Sequence, residues 1–227
     1  PDGQIGVIDC RFEPSAVDWQ TPPDEAGALV LIDPIERRVR LLRDRLGQQP
    51  LVWARLADGV LVASREYVLL GLDSLPRNYD DEFLASHLAL VDPPGGRTLY
   101  RAIEAVDPGS RVDLTSAATR VQRLAFDPDP DAFKLSDASA IERFRELMSS
   151  AVTSCAVGAS RVGLTLSGGL DSSSIAALLP ASIRRSRSVA LTYGTQFGGS
   201  IDERELASDL CAHLAIPMVT FDSAEHP

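Results

Sequence analysis

The chain has 227 residues, 44% of them hydrophobic and 24% charged, with a formal net charge of −10. At roughly 100–200 residues per domain this allows one large domain or two small ones, with a core that needs no disulfide or metal. The acidic balance excludes a phosphate-tracking nucleic-acid binder and a surface drawn to anionic lipid, both of which need a basic stripe.

Cys10, Cys155 and Cys211 lie far apart, with no Cys-x-x-Cys pair and no histidine at ligand spacing. Neither a disulfide framework nor a zinc site is expected. No apolar run approaches the ~18 residues of a bilayer span, and the first residues lack a signal-peptide pattern, so a cytoplasmic protein is expected. The start at Pro1, without methionine, reads as processed or trimmed.

The first elements in chain order are β. Gly27 to Asp33 and Arg38 to Arg43 are short apolar-rich runs parted by a turn at Asp33-Pro34. Pro50 to Leu56 and Val60 to Ser64 flank Asp58-Gly59, a hairpin signal in which glycine is expected to supply a positive φ. Tyr79 to Leu90 reads as a helix, with Phe83, Leu84, Leu88 and Val91 near helical spacing. Asp107-Pro108-Gly109-Ser110 is a turn by residue chemistry, and Arg111 to Leu114 follows as a strand.

Asp127-Pro128-Asp129-Pro130-Asp131 then breaks the composition, with two prolines that fix φ and three solvent-seeking aspartates. The expected organisation is a first domain over 1–126, a linker over 127–138 and a second domain over 139–227. Beyond the break, helical and strand patterns alternate. Ile141, Phe144, Leu147, Met148, Ala151 and Cys155 mark one helical face, with Ser139 or Asp137 as its cap. Val162 to Leu166 reads as a buried strand, Ser172 to Leu179 as a helix, Val189 to Tyr193 as a strand and Asp202 to Leu214 as a helix. Strand–helix–strand–helix at this spacing predicts an α/β domain with a parallel sheet.

Leu164 to Leu179, LTLSGGLDSSSIAALL, is the stretch that carries chemistry. A strand runs into Ser167-Gly168-Gly169-Leu170-Asp171-Ser172-Ser173, and a helix starts at once. Two glycines let the backbone approach an anion, the helix N-terminus adds positive potential, and the serine hydroxyls can donate further bonds. Asp171 would suit a phosphate site only by holding a divalent cation such as Mg2+, which binds one or two carboxylates plus phosphate oxygens. No Gly-Lys-Ser/Thr and no Gly-x-Gly-x-x-Gly is present, so neither a Walker loop nor a dinucleotide fingerprint fits. The bland alternative is a serine-capped strand-to-helix turn.

SGGLDSS resembles the pyrophosphate-binding loop of the N-type ATP pyrophosphatases. The segment Arg43-Asp44-Arg45-Leu46-Gly47-Gln48-Gln49-Pro50-Leu51 looks like the RDxLGxxPL segment of asparagine synthetase-like proteins, with Ala63-Ser64 as their following Ala-Ser pair. Thr98 to Ile103 with Asp107-Pro108-Gly109, and Asp202-Glu203-Arg204-Glu205-Leu206-Ala207, are similar to further segments in the same order. The resemblance implies a degenerate Ntn-amidotransferase-like αββα sandwich (α+β), followed by an α/β ATP pyrophosphatase domain of the adenine nucleotide α-hydrolase type.

The family's glutaminase uses an N-terminal cysteine activated by its own amine. Pro1-Asp2-Gly3-Gln4 stands there, ahead of a first strand at Ile5 to Asp9, and Cys10 reads as a core or edge thiol. An inactive glutaminase is therefore expected, with the amine coming from the substrate, as in lasso-peptide cyclases and β-lactam synthetases. The implied reaction adenylates a carboxylate with ATP and closes a lactam, here a macrolactam on a peptide. The alternatives are a β-lactam synthetase, an ammonia-dependent asparagine synthetase or a non-catalytic nucleotide-binding scaffold.

By this resemblance Ser167, Gly168, Gly169, Leu170, Asp171, Ser172 and Ser173 bind the pyrophosphate of ATP, and Asp171 ligates Mg2+. Leu166 and Tyr193 would offer backbone groups to adenine, with simple strand-end packing the alternative for Tyr193. Asp202 and Glu203 read as caps of their helix. His87, His213 and His226 read as solvated or core residues, Trp19 and Trp53 as packing, and Lys134 as a solvated charge. The expected partners are a peptide or amino-acid-derived substrate and a leader peptidase or precursor-recognition protein, with no nucleic acid and no membrane. Catalytic residues are expected C-terminal to Pro227, so only the front of the synthetase domain is expected here.

Overall fold

The computed structural model describes residues 5–10, 27–93, 95–124, 129–194 and 202–222, with backbone alone for 5–10 and Asp222. The chain divides into two units, Pro1–Asp127 and Pro128–Pro227.

In the first unit β1 (Ile5–Cys10), β2 (Gly27–Asp33), β3 (Arg38–Arg43), β7 (Ser110–Leu114) and β8 (Thr119–Arg123) form one sheet in that order. Every pairing in it is antiparallel. A second sheet has the order β5 (Val60–Ala63), β4 (Val52–Arg55) and β6 (Glu104–Ala105). Alternation sends Ala28, Leu41, Val112 and Leu114 of the first sheet onto Leu51, Trp53 and Val106 of the second. Val52 and Ala54, on the other face of β4, pack with Leu69, Leu75 and Ile103. Central strand β4 is thus buried on both faces, which explains its unbroken apolar run.

Leu69 belongs to α1 (Glu66–Leu70), a short helix absent from the sequence reading, as were β6 and β8. Two sheets and two helices, α1 and the predicted one below, are what the described residues show of the expected αββα arrangement. The hairpin at Asp58-Gly59 forms, but Gly59 lies outside the left-handed region. The connection is a four-residue one closed by the Leu56 N–H donating to the Gly59 carbonyl (2.9 Å), so a positive φ is not needed. The predicted helix is α2 (Asp81–Leu88), capped by Asp80, whose carboxylate accepts from the Phe83 N–H at 2.9 Å. None of its residues is buried, so its apolar spacing marks no core face. The Phe83 N–H and the Arg97 guanidinium hold the Asp80 carboxyl below the usual carboxylate range.

The RDRLGQQPL and DPG segments meet in space. Asp44, 1% exposed, accepts from the N–H groups of Leu46 (3.1 Å), Gln48 (2.9 Å) and Gln49 (2.9 Å). Arg43 donates to the carbonyls of Gln49, Gly47 and Val106, each at 2.8 Å. Gly47 sits at φ +65, where a Cβ would lie 2.7 Å from Pro108. Both motifs therefore form a structural knot that ties β3 to the second sheet.

In the second unit a 3-10 turn at Ala132–Lys134 precedes α3 (Asp137–Ala156). The cap of α3 is Ser136, not Ser139 or Asp137; its hydroxyl accepts from the Ser139 N–H at 3.3 Å. A cap acts on an N–H about one turn ahead, so the capping serine lies three residues before the one it satisfies. The face bearing Ile141, Phe144 and Leu147 is exposed, and burial is confined to the end of the helix at Ala156.

Strands β9 (Val162–Thr165), β10 (Ser188–Gly194) and β11 (Met218–Asp222) form a parallel sheet in the order β11-β10-β9. Helices α4 (Leu170–Leu178), α5 (Ala181–Arg187) and α6 (Arg204–Leu214) connect them. Helix α5 and strand β11 were not foreseen. Leu164, Leu166, Ala176, Leu179, Ile183, Ala190, Ala207, Cys211 and Ile216 make one core. Burial pushes the Cys211 thiol above its usual range, whereas Cys155 is exposed.

Two helices end in a Schellman closure without glycine. Leu90 has φ 55 while its N–H donates to His87 and the Val91 N–H to Ser86; Ala215 has φ 55 after α6. Leu90 is 93% exposed, so its side chain offers little packing against the left-handed penalty. Leu90→Gly is expected to stabilise the first unit by about 0.5–1 kcal/mol, read as a higher urea midpoint. Asp44→Ala leaves buried N–H groups unpaired and should cost about 3 kcal/mol in the same measurement.

Candidate functional site

Burial drives the site's geometry. Strand β9 delivers Leu166, 2% exposed, into the core, and the chain must then turn sharply to lay α4 against α3. The turn is made at Gly168, with φ +77, a conformation in which a side chain is strained. A Cβ there would also lie 2.5 Å from the Leu206 Cβ and 3.2 Å from the Ala207 nitrogen, both in α6. Gly168 thus serves both the backbone conformation and the close approach of a neighbouring helix.

The serines close the loop on itself. The hydroxyls of Ser167 and Ser172 lie 3.0 Å apart, and the Gly169 N–H donates to the Ser167 hydroxyl at 3.3 Å. The Ser172 hydroxyl also accepts from the Ser167 N–H and donates to the Gly169 carbonyl, each at 3.3 Å. The Ser173 N–H donates to the Gly169 carbonyl at 3.0 Å, the first bond of α4. Gly169 is the N-cap residue, and no side chain caps this helix. An uncapped, solvent-facing N-terminus with its positive end outward suits an anion. Leu170 and Asp171 are exposed in the first turn.

The structure brings Ser167, Gly168, Gly169, Leu170, Asp171, Ser172 and Ser173 into one strand–turn–helix unit. Leu166 adjoins it, and both of its backbone groups hold internal partners. Its N–H donates to the Leu191 carbonyl at 2.9 Å, and its carbonyl accepts the Thr192 hydroxyl. That carbonyl keeps a second lone pair for a further donor. Tyr193 is exposed near the end of β10, its ring 5.8 Å from that of Phe221.

Of the two expected caps of α6, only Asp202 accepts a helix N–H, that of Arg204. Glu203 occupies the N-cap position without a side-chain bond, and Asp202 binds Arg204. Its carboxylate accepts from the Arg204 N–H at 3.1 Å and from Nε at 2.8 Å, because the two residues lie within one turn. The Arg204 side chain, then its N–H, hold the Asp202 carboxyl below the ordinary range. Among the described residues no group of three or more His, Cys, Asp or Glu side chains could hold a metal. A divalent cation at Asp171 would depend on phosphate oxygens for most of its ligands. Lys134 pairs with Asp131 on the surface. Pro1 to Gln4, Trp19 and His226, and the side chain of Cys10, lie outside what is described.

Sequence reasoning missed Thr192, Gly194, Arg204 and the α6 residues that touch Gly168. The Tyr-Gly step at the end of β10 and the Asp-x-Arg spacing were the available signals.

The model of the asparagine synthase family matches residues 143–225, and that of the glutamine amidotransferase domain matches residues 26–125. The second unit thus matches an asparagine synthase family model and the first a glutamine amidotransferase one. The chain is 33% identical over 162 residues to the glutamine-hydrolysing asparagine synthetase of Gallus gallus, covering 69% of this chain and 27% of that protein. The corresponding Homo sapiens protein is 30% identical over 160 residues, with the same two shares. A putative asparagine synthetase of Mycobacterium bovis is 32% identical over 166 residues, covering 66% of this chain and 24% of its own. The chain thus spans about a quarter of the length of the curated relatives it matches. An NH3-dependent NAD synthetase from Campylobacter jejuni overlaps 37% of each chain at 26% identity and a TM-score of 0.32, an overlap that locates no residue here.

Gly168→Ala meets both a left-handed φ and α6. It should destabilise the second unit by about 1–3 kcal/mol, measured by thermal unfolding.

Proposed function

We propose that this asparagine synthetase-like chain carries the nucleotide-binding part of an ATP-dependent, amide-bond-forming ligase. The observation that carries the reading is the loop from Ser167 to Ser173, which enters an uncapped helix N-terminus through a left-handed glycine. That geometry leaves the N-terminal end of α4 without a side-chain cap, where its first-turn N–H groups suit a phosphate anion and Asp171 suits a shared cation. The residues fit ATP, and they fit Mg2+ only as a cation shared between Asp171 and phosphate oxygens.

In this reading Ser167, Gly168, Gly169, Leu170, Ser172 and Ser173 hold the pyrophosphate end of ATP, and Asp171 orients the cation. Leu166 and Tyr193 border the adenine. ATP supplies the adenylyl group that turns a substrate carboxylate into an acyl donor. No described residue is assigned to the closing of the amide bond.

The preferred substrate is a peptide whose own amine closes a macrolactam, as in lasso precursors, with a leader peptidase or precursor-recognition protein as partner. Its support is the SGGLDSSS-x-A wording, together with the gain in effective concentration of an intramolecular amine. A second reading, asparagine formation, is favoured by the names of the three curated relatives.

Asp171→Ala should weaken binding of magnesium-ATP at least tenfold, about 1.4 kcal/mol, with little effect on thermal stability because the side chain is exposed. Calorimetry on the parent chain and the variant checks this. Equal affinity in the two would remove Asp171 from the site. Mass spectrometry of the reaction separates the substrates. A peptide one water lighter supports the macrolactam, and asparagine from aspartate supports the second reading.

A further inference from the structure

Helix α6 touches the 167–173 loop at Gly168, and its first residue, Arg204, is held by Asp202. Arg204, the first residue of α6, folds back over Gly194, the last residue of β10. A Cβ on Gly194 would lie 2.5 Å from its Nε and 2.6 Å from its Cδ and Cζ. The absent side chain at Gly194 is therefore what admits the arginine to the strand end. Asp202 grips the same guanidinium through Nε, at 2.8 and 2.9 Å, and through a terminal nitrogen. The same carboxylate accepts the Arg204 N–H, so main chain and side chain are fixed together.

Two residues further along, Leu206 and then Ala207 press on Gly168. Ala207 is fully buried and its N–H donates to the Glu203 carbonyl at 3.0 Å, which makes the first turn of α6 a rigid connection. Helix α6 packs on both β10 and α4. A displacement of its first turn would therefore be felt at Gly168, where the loop cannot yield without leaving its left-handed conformation.

We propose that Asp202, Arg204 and Gly194 form a latch that seats α6 against Gly168 and so holds the 167–173 loop in its phosphate-binding shape. Arg204 is then a positioning residue. It reaches the anion through α6 and Gly168 and makes no contact with phosphate itself. This inference rests on the proposed nucleotide site.

Its consequence is that the latch tunes affinity more than stability. Ala207 and Cys211 anchor α6 in the core whether or not its first turn is latched. Gly194→Ala offers a second way to open the latch, because its φ lies outside the left-handed region and the atoms it would strike belong to a flexible side chain.

The test is calorimetric titration of the whole chain with magnesium pyrophosphate and with magnesium-ATP, with thermal unfolding in parallel. Arg204→Ala and Gly194→Ala should each raise Kd about 5–10-fold, roughly 1–1.4 kcal/mol. The double variant should be no weaker than either single, since both open one latch. Arg204→Lys, which can still pair with Asp202, should recover part of the loss, as a purely space-filling role would not. Affinities within twofold of the parent in both single variants would overturn the latch while leaving the proposed site intact. Additive losses in the double variant would also overturn it. Failure of the parent chain to bind either ligand would overturn the site itself, and the latch with it.

Discussion

The second unit is organised around the contact between Gly168 and helix α6. The chain leaves the end of a buried strand and must begin a helix within a few residues, which requires a positive φ. At that point Leu206 and Ala207 lie so close that no side chain could be accommodated. Loop shape, the direction of α4 and the seat of α6 are therefore one geometric condition. The glycine pair and the serines that fold onto the loop follow from it, and so does the outward-facing helix terminus suited to an anion.

The first unit has a comparable centre at Asp44. One buried carboxylate collects the N–H groups of the turn after β3, while the neighbouring Arg43 gathers carbonyls from that turn and from Val106. Buried charge is tolerated because each group has several hydrogen-bonding partners. Two of the segments that carry the first half's resemblance, RDRLGQQPL and Asp107-Pro108-Gly109, build this knot.

Much of the fold was legible where the physics is local. Gly27 to Asp33 and Arg38 to Arg43 were read to the residue because apolar alternation and the intervening turn are properties of adjacent residues. Helix α5 and strands β8 and β11 were missed, because Ala181–Arg187 has little apolar periodicity and the strands are specified by the neighbours they pair with. The apolar face of α3 suggested a core contact that the structure leaves open over most of the helix. Periodicity shows that side chains share a face and cannot show that another element covers it.

The site divides along the same line. The sequence by itself determined the heptapeptide loop, its place between a strand and a helix, and a two-part chain broken at the Asp-Pro run. Each rests on backbone preferences and spacing within about a dozen residues. Only the tertiary structure decided that Gly168 is pressed by α6, that Thr192 holds the Leu166 carbonyl and that Arg204 lies across Gly194 under the grip of Asp202. Those contacts join residues from different strands and helices, and no local preference encodes which elements become neighbours once the parallel sheet has closed.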